Sequence, residues 1–315
     1  MKNWFKTLAS TCAIIPLAHC ALIPGGNIAS AAEPTAPAAE AAPATTDADP
    51  ALWIVKDEDT TIYLFGTVHV LKPGLSWFDE AVKDAFDSSD QLMLELVVPD
   101  DQAEVGKTMM PLALDQSGKT LSSRLDAEQL AAYQAAMASV GLPPAQFDMF
   151  KPWFAAITLS ILPLTQLGYD PEQGVEKQLT RFAKEGAKPV AGFETLGEQL
   201  GFFDTLPEAQ QVAFLNSVVK DLDKLGPTLD EMVVLWGKGD PDGLAVAMNE
   251  SLAATPELAQ TLLYDRNARW AEQLKARMDQ PGTVFVAVGA GHLAGEKSVQ
   301  DYLKEHGLVV ERVDY

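Results

Sequence analysis

The sequence predicts an α/β protein whose mixed central sheet is built from the N- and C-terminal parts of the chain, with a large helical insertion between them. Three observations predict this class. Short apolar runs typical of buried strands lie near both ends of the chain. Residues from about 100 to 280 instead repeat apolar side chains at helical spacing. Finally, an apolar run followed by Gly-x-x-His occurs once near each end.

The first 31 residues are predicted to be a secretory signal peptide. Lys2 and Lys6 form a positive start, an apolar stretch follows, and small residues precede a cleavage position near residue 31. An uncleaved membrane anchor is the alternative, but prolines and a glycine pair interrupt the apolar stretch. His19 argues against lipidation at Cys20. We therefore expect an exported protein, periplasmic or secreted, without a transmembrane segment in the mature chain.

Residues 32–50 are predicted to be a disordered linker, and residues 51–315 are predicted to form the folded domain. The linker is almost entirely Ala, Pro, Thr and acidic residues, so it has no large apolar side chain to bury. The remaining length fits one large domain or two small ones. Because strands cluster at both ends of this region, we favour one domain with a helical insertion at about 100–280, interrupted by a strand near 188–194.

Charge and cysteine content exclude several classes of function. Removing residues 1–31 removes two lysines and no acid, which takes the net charge from −21 to −23. A surface this acidic repels nucleic acid and anionic membranes, so we expect no nucleic-acid partner. Both cysteines, Cys12 and Cys20, lie in the predicted signal peptide, which excludes thiol catalysis and disulfides in the mature chain.

The first elements predicted in the domain are a strand pair, a helix and a buried strand. The segment LWIVKDEDTTIYLFGT, residues 52–67, predicts two strands joined by an acidic turn. Apolar side chains recur at helical spacing from Trp77 to Phe86, which predicts a helix. The segment QLMLELVV, residues 91–98, is short and apolar on both faces, which is typical of a buried central strand.

The insertion is predicted to be mostly helical. One helix ends at Gly141, and the strongly apolar helix of residues 151–168 is expected to bend or break near Pro163. After the strand near 188–194, Thr195 and Glu198 indicate the capping box of another helix.

The closing elements predict that both Gly-x-x-His motifs lie in one sheet. TVFVAVGAGHL contains a buried strand that ends at Gly289. A helix follows, with apolar residues and His306 on one face, and LVVERV is predicted to be the last strand. In open α/β sheets ligands bind beyond the carboxyl ends of the strands, which is where both motifs place their histidines.

The paired histidines are the main candidates for chemistry. Of the three histidines in the mature chain, His69 and His292 each follow a glycine by three positions, whereas the chance for one histidine is about 7% because 22 of 315 residues are glycine. Gly66 and Gly289 would let the backbone turn sharply and leave room for a ligand. Imidazole then acts as a metal ligand or a proton-transfer group. His306 lacks this glycine and is expected to be a helix-end residue.

Three further charged residues lie where apolar side chains are expected. Glu95 is the only charge within LMLELVV, and a buried carboxylate is costly unless it is paired or binds a metal. Glu194 ends the next strand in the same way. Either glutamate could instead be a solvated strand-end residue. Arg266 lies on an apolar helix stripe, where it could extend to solvent or reach a carboxylate or a developing oxyanion.

Other catalytic and nucleotide-binding motifs are absent from the sequence. It contains no His-Glu-x-x-His, no Gly-x-Ser-x-Gly, no phosphate-binding loop and no dinucleotide fingerprint.

Five segments of the sequence carry a family resemblance. They are LFGTVHVL with the following Trp77, the glutamate of LMLELV, GYDPEQGVEKQLTRFAKEGAKPVAGFETLGEQL, RNARW and VAVGAGHLAGEKSVQDYLKEHGLVVERV. Together they resemble the TraB/GumN family, relatives of the Tiki proteases, from about residue 52 to 313. The resemblance implies a Tiki/TraB-like fold and a metal-dependent hydrolase, with Mn or Co in the Tiki branch. The functional positions that it implies are Gly66, His69, Glu95, Glu194, Arg266, Gly289 and His292.

Our main functional hypothesis is therefore an exported metal-dependent hydrolase, a peptidase, with a peptide or small-molecule substrate. In this hypothesis His69, Glu95 and His292 hold a divalent ion such as Mn, Co or Zn and leave one position open. Glu194 is the candidate general base and Arg266 the oxyanion stabiliser, although the two glutamates could exchange roles. The alternatives are a non-catalytic periplasmic binding protein for a peptide, polysaccharide fragment or metal-bearing ligand, and an esterase-like hydrolase.

Overall fold

The structure, a computed structural model, describes residues 45–252 and 256–315. The predicted signal peptide and residues 32–44 of the predicted linker lie outside the described residues. Among the described residues, none of the helices combines the length and apolar character that crossing a membrane would need.

A six-stranded mixed sheet forms the centre of the fold, as predicted. Its order is β6-β5-β7-β3-β2-β8, and β1 and β4 form a separate parallel pair. The four strands from β6 to β3 are parallel, whereas β2 is antiparallel to both β3 and β8. The strands are β1 Thr46–Asp47, β2 Leu52–Lys56, β3 Thr60–Thr67, β4 Leu75–Ser76, β5 Gln91–Leu96, β6 Val190–Glu194, β7 Gly282–Gly289 and β8 Glu311–Arg312.

Twelve α-helices can be traced in the described residues, most of them between β5 and β7. They are α1 Glu80–Ser88, α2 Gln102–Ala113, α3 Ala127–Ser139, α4 Pro152–Gln166, α5 Val175–Glu185, α6 Leu196–Asp204, α7 Glu208–Asp221, α8 Leu225–Gly237, α9 Pro241–Leu252, α10 Pro256–Ala259, α11 Asp265–Arg277 and α12 Val299–Glu305. A π-helical turn, Gln260–Tyr264, joins α10 to α11.

Alternation along β7 explains why helices cover both faces of the sheet. Phe285 and Ala287 pack on one face with residues of α1 and α5. Val284 and Val286 pack on the other face with residues of α11 and α12. A strand that is buried on both faces must be apolar throughout, which is the pattern that predicted it. Many of the inserted helices pack into a third apolar cluster of their own.

Most of the predicted local elements are confirmed. The strand pair 52–67, the helix that includes Phe86, the buried strand at 91–96 and the strand ending at Gly289 are present. Thr195 and Glu198 form the predicted capping box, with hydrogen bonds in both directions. The last strand is shorter than expected, because β8 pairs with β2 over only two residues.

Two local expectations need correction. The linker was expected to extend to residue 50, but Thr46 and Ala48 already donate backbone hydrogen bonds to Gly74 and Ser76 at 2.7 and 2.9 Å. The folded chain therefore includes β1, because its backbone pairs with β4 without needing large apolar side chains. The helix of residues 152–166 is not broken at Pro163, which lies near its C-terminus, where a missing N–H group disturbs little of the helix.

Candidate active site

The predicted histidines and glutamates of the site lie at the carboxyl ends of four adjacent parallel strands. Glu95 lies near the end of β5, and Glu194 is the last residue of β6. β3 and β7 are parallel neighbours whose pairing ends with Thr67 opposite Gly289. The two Gly-x-x-His motifs therefore leave the same edge of the sheet, and His69 and His292 follow it within three residues. This arrangement confirms that both motifs belong to one sheet.

Glu95 is a buried carboxylate with protein donors on both oxygens. Its side chain is 3% exposed, so it is not a solvated strand-end residue. Oε2 accepts hydrogen bonds from Arg266 Nη2 at 2.6 Å and from Gln199 Nε2 at 3.3 Å. Oε1 accepts one from the Gly289 backbone N–H at 2.7 Å. Burial raises the pKa of Glu95 above its ordinary value, although the charges of Arg266 and His69 oppose this change.

Arg266 is the centre of the cluster and joins both glutamates. It is completely buried, so it does not extend to solvent. Its Nε and Nη2 donate to Glu194 Oε1 and Oε2 at 2.9 and 2.8 Å, in the two-point geometry that suits a guanidinium and a carboxylate. Burial opposes its charge, but Glu95 and Glu194 outweigh this effect and raise the pKa of Arg266. One guanidinium is thus shared between two carboxylates.

Glu194 has little hydrogen-bonding capacity left for other partners. Besides Arg266, its Oε1 accepts hydrogen bonds from Trp270 Nε1 at 3.1 Å and from Arg269 Nη2 at 3.3 Å. These donors come from successive turns of α11, which lies against the sheet face where Trp270 stacks on Phe193. Glu194 therefore holds α11 and Arg266 at the end of β6.

His292 is buried in a position that defines its tautomer. Its Nδ1 lies 2.5 Å from Asn267 Oδ1, and Asn267 Nδ2 donates to the Lys297 carbonyl at 2.8 Å. Because the asparagine amide is oriented by Lys297, His292 Nδ1 carries the proton and Nε2 presents its lone pair to Arg266 Nη1 at 3.2 Å. Burial and the positive charges of Arg266 and His69 lower the pKa of His292 well below its ordinary value, which keeps the ring neutral.

His69 lies beside the cluster and is held by a residue that the sequence did not predict. Its Nδ1 is 2.5 Å from Oε1 of Glu176, the second residue of α5, and Thr67 Oγ1 also donates to that oxygen. When it is protonated, His69 lowers the pKa values of both Glu95 and His292, so it interacts with the cluster electrostatically.

Gly66 has a different role from the one expected. A Cβ atom at this position would lie 3.1 and 3.2 Å from Cα and Cβ of Ala290, in the loop that leaves β7. The missing side chain therefore makes room for the second Gly-x-x-His motif rather than for a ligand. The Gly66 carbonyl also accepts a hydrogen bond from the buried Trp236 indole at 2.7 Å.

The predicted metal ligands are only partly brought together. Within the part of the chain that the structure describes, no three His, Cys, Asp or Glu side chains surround one point suited to a metal ion. Arg266 instead bonds to both Glu95 and His292. Glu95 Oε1 and His292 Nε2 are nevertheless 3.7 Å apart, close to the roughly 3.4 Å between two ligands with bonds of about 2.1 Å in a tetrahedral site.

Three polar residues around the cluster were not predicted: Glu176, Gln199 and Asn267. All three lie on helices, where single polar side chains are common, so they gave no separate signal. His306, by contrast, is the C-cap of α12, with its Nε2 3.3 Å from Glu272 Oε1, which confirms the expected helix-end position.

Comparison with known proteins gives a family match over nearly the whole described chain. The family model of the TraB/PrgY/gumN family matches residues 51–312. The uncharacterized protein YbaP of Escherichia coli K12 is 26% identical over 255 residues, which cover 81% of this chain and 92% of YbaP. An uncharacterized protein of Treponema pallidum is 23% identical over 274 residues, which cover 82% of this chain and 81% of that protein. No solved structure matches.

Proposed function

The chain belongs to the TraB/PrgY/gumN family, and from that premise we propose that it is an exported metal-dependent hydrolase, a peptidase, whose active site is the cluster around Arg266. The observation that carries the proposal is the burial of Glu95, Glu194, Arg266 and His292 together at the carboxyl ends of adjacent parallel strands. Buried ionic clusters are weak contributors to stability, whereas active sites commonly contain them.

The chemistry of the available donors fits a divalent ion. His292 has its Nδ1 proton directed to Asn267, and His69 has Nδ1 next to Glu176. An oxygen partner at Nδ1 is the usual support of a histidine that binds metal through Nε2. Glu95 Oε1, 3.7 Å from His292 Nε2, would supply the carboxylate. Nitrogen and oxygen donors of this kind suit Mn, Co or Zn.

Arg266 would have to give up its hydrogen bond to His292 for this ligand set to form. That bond to Nε2 competes with a metal, whereas its bonds to Glu194 and to Glu95 Oε2 do not, because the proposed carboxylate ligand is Glu95 Oε1. We propose that Glu194 retains Arg266 beside the metal, where the guanidinium can stabilise an oxyanion. This role suits Glu194 better than that of general base, because Oε1 already accepts three hydrogen bonds and Oε2 is bonded to Arg266.

A bound divalent ion would supply Lewis-acid polarisation of a carbonyl group and would lower the pKa of a water molecule. The protein's own groups would orient the imidazoles and accept a proton. Glu95 is proposed to serve either as the metal ligand or as the proton acceptor, because its Oε1 lies 3.7 Å from His292 Nε2 and accepts a hydrogen bond from the Gly289 N–H. Carboxylates with a raised pKa are suited to such transfers near neutral pH.

Metal binding and peptide turnover of the purified full chain test the proposal. Mn, Co and Zn would be titrated calorimetrically into chelator-treated protein, and each loaded form assayed against a peptide library and simple esters. We expect one metal equivalent, peptide turnover, and loss of both in His69→Gln and His292→Gln. His306→Gln is the matched control and should behave as the wild type.

Two results would refute the proposal. Metal affinity that is unaffected by both histidine substitutions would remove the metal site. Metal binding without turnover of any peptide would instead favour the binding-protein alternative, and turnover of esters alone would favour an esterase.

A further inference from the structure

We propose that Glu176 is a positioning residue that fixes the ring orientation and the protonated nitrogen of His69; its metal-related consequence rests on the proposed function of that histidine. Glu176 comes from α5, more than a hundred residues after the first Gly-x-x-His motif. Its role is inferred from the way α5 is docked onto that motif.

The backbone of α5 is attached directly to the segment that carries His69. Val175 N–H donates to the Val68 carbonyl at 3.0 Å, and Asp170 N–H donates to the Leu71 carbonyl at 2.9 Å. A Cβ atom at Gly174 would lie 2.1 Å from the His69 carbonyl oxygen, so only glycine allows this approach. The start of the helix is therefore fixed relative to the His69 backbone on both sides of the motif.

This docking places the Glu176 carboxylate between two groups of the motif. Its Oε1 is 2.5 Å from His69 Nδ1 and accepts a hydrogen bond from Thr67 Oγ1. Thr67 is completely buried, and the Glu176 side chain is only 13% exposed. The threonine thus orients the carboxylate, and the carboxylate orients the imidazole.

The contacts of Glu176 suit an anionic carboxylate. Thr67 Oγ1 donates a hydrogen bond to Oε1, and His69 Nδ1 lies 2.5 Å from the same oxygen. The place of Glu176 in the first turn of α5 adds the favourable dipole of a helix N-terminus. An anionic acceptor holds a proton on His69 Nδ1 and leaves Nε2 as the nitrogen available to the site.

The second motif is built in a parallel way. His292 Nδ1 meets Asn267 Oδ1 at 2.5 Å, and Asn267 also comes from a helix packed against the motif. Two histidines from separate motifs thus each have a dedicated oxygen partner at the same ring nitrogen. A carboxylate whose only role was to link α5 to the sheet would not need to contact the Nδ1 atom of a histidine.

The test uses the full chain with the substitutions Glu176→Leu, which keeps the volume but removes the acceptor, and Glu176→Gln, which keeps an oxygen. Asp148→Leu is the matched control, because Asp148 is also partly buried and accepts hydrogen bonds from Ser122 N and Oγ at 3.0 and 2.6 Å, outside the site. NMR of ¹⁵N-labelled histidine reports which ring nitrogen is protonated, with His69 assigned by its loss in His69→Gln.

We expect wild-type His69 to be protonated at Nδ1 and Glu176→Leu to lose that preference. Calorimetric Mn and Zn affinity should fall by about 10- to 100-fold in Glu176→Leu, less in Glu176→Gln, and not in Asp148→Leu. A folded Glu176→Leu variant with unchanged His69 signals and unchanged affinity would overturn the inference.

Two contingencies are also decided by these measurements. If Glu176→Leu does not fold, the Glu176→Gln variant decides. There the NMR signal of the His69 Nδ1 proton should move upfield, because the hydrogen-bond acceptor of that proton becomes neutral. An unmoved signal would overturn the inference. Where the wild type binds neither metal, the proposed function fails, and the histidine signals alone decide whether Glu176 positions His69.

Discussion

Replacing each buried glutamate with glutamine should separate the two carboxylates that share Arg266. Glu194 accepts hydrogen bonds from three side chains, including two from Arg266 at 2.8 and 2.9 Å. Glu95 accepts one from Arg266, at 2.6 Å, together with bonds from Gly289 and Gln199. Removing Glu194 therefore leaves the guanidinium with less of its charge compensated than removing Glu95 does.

The expected magnitudes follow from this difference. Breaking a buried ion pair by removing its main partner costs about 3–5 kcal/mol, so Glu194→Gln should lose that much unfolding free energy. Glu95→Gln loses one charge-assisted hydrogen bond, about 1.5–3 kcal/mol. Because burial already raises the pKa of Glu95, part of that loss is offset, and we expect a net cost below about 2 kcal/mol.

Urea and thermal unfolding in the presence of a chelator measure the ranking. At about 2–4 °C per kcal/mol, Glu194→Gln should lower the Tm by roughly 6–20 °C and Glu95→Gln by less than about 8 °C. Glu198→Gln is the control, because glutamine also serves in a capping box. A Glu95→Gln variant as unstable as Glu194→Gln would refute the reasoning and make Glu95 a scaffold residue. In the folded Glu95→Gln variant, metal affinity should fall sharply.

Two further predictions concern the packing of the motifs and the helical insertion. Gly66→Ala should lower the unfolding free energy by about 1–3 kcal/mol, because its Cβ would overlap Ala290. It should also weaken metal binding, because Ala290 belongs to the segment that carries His292. Unfolding free energy and calorimetric metal affinity that both match the wild type would contradict this. Burial opposes ionisation of Asp115, but hydrogen bonds from Ser117 and the charge of Arg124 lower its pKa below 3.8. The stability that the ionised Asp115 contributes is present above its unfolded pKa and is lost as pH falls through its folded pKa. The unfolding free energy of Asp115→Asn should therefore fall less than that of the wild type between about pH 5 and pH 2. Parallel pH profiles of the two unfolding free energies would contradict this.

The sheet and the five charged or ionisable residues of the site could be predicted from the sequence, because each of these features interrupts or completes a periodic pattern of apolar residues. Glu95 is conspicuous within an apolar strand, and Arg266 within an apolar helix stripe. The two histidines follow glycines at the ends of β3 and β7, and parallel strands necessarily bring such ends to one edge.

The residues that support the site could not be predicted, because polar helix faces are ordinary on a protein surface. Glu176 resembles any acidic residue in the first turn of a helix, and Asn267 resembles any solvated position next to Arg266. Their contacts depend on how α5 and α11 dock onto the sheet. The one sequence feature that could have indicated Glu176 is Gly174, two positions earlier, because its close approach to the His69 carbonyl requires glycine.

The neutral partner of His292 is explained by the contact of this ring with Arg266. His292 Nε2 lies 3.2 Å from the guanidinium, so a protonated ring there would place two cations in contact. A neutral amide at Nδ1 does not favour a second proton on the His292 ring, as a carboxylate would. The side chain of Asn267 accepts the hydrogen bond from His292 and donates one to the Lys297 carbonyl. His69 Nδ1 instead lies 2.5 Å from the carboxylate of Glu176. The site therefore holds one imidazole neutral beside a cation and the other beside an anion, an asymmetry that the identical Gly-x-x-His motifs conceal.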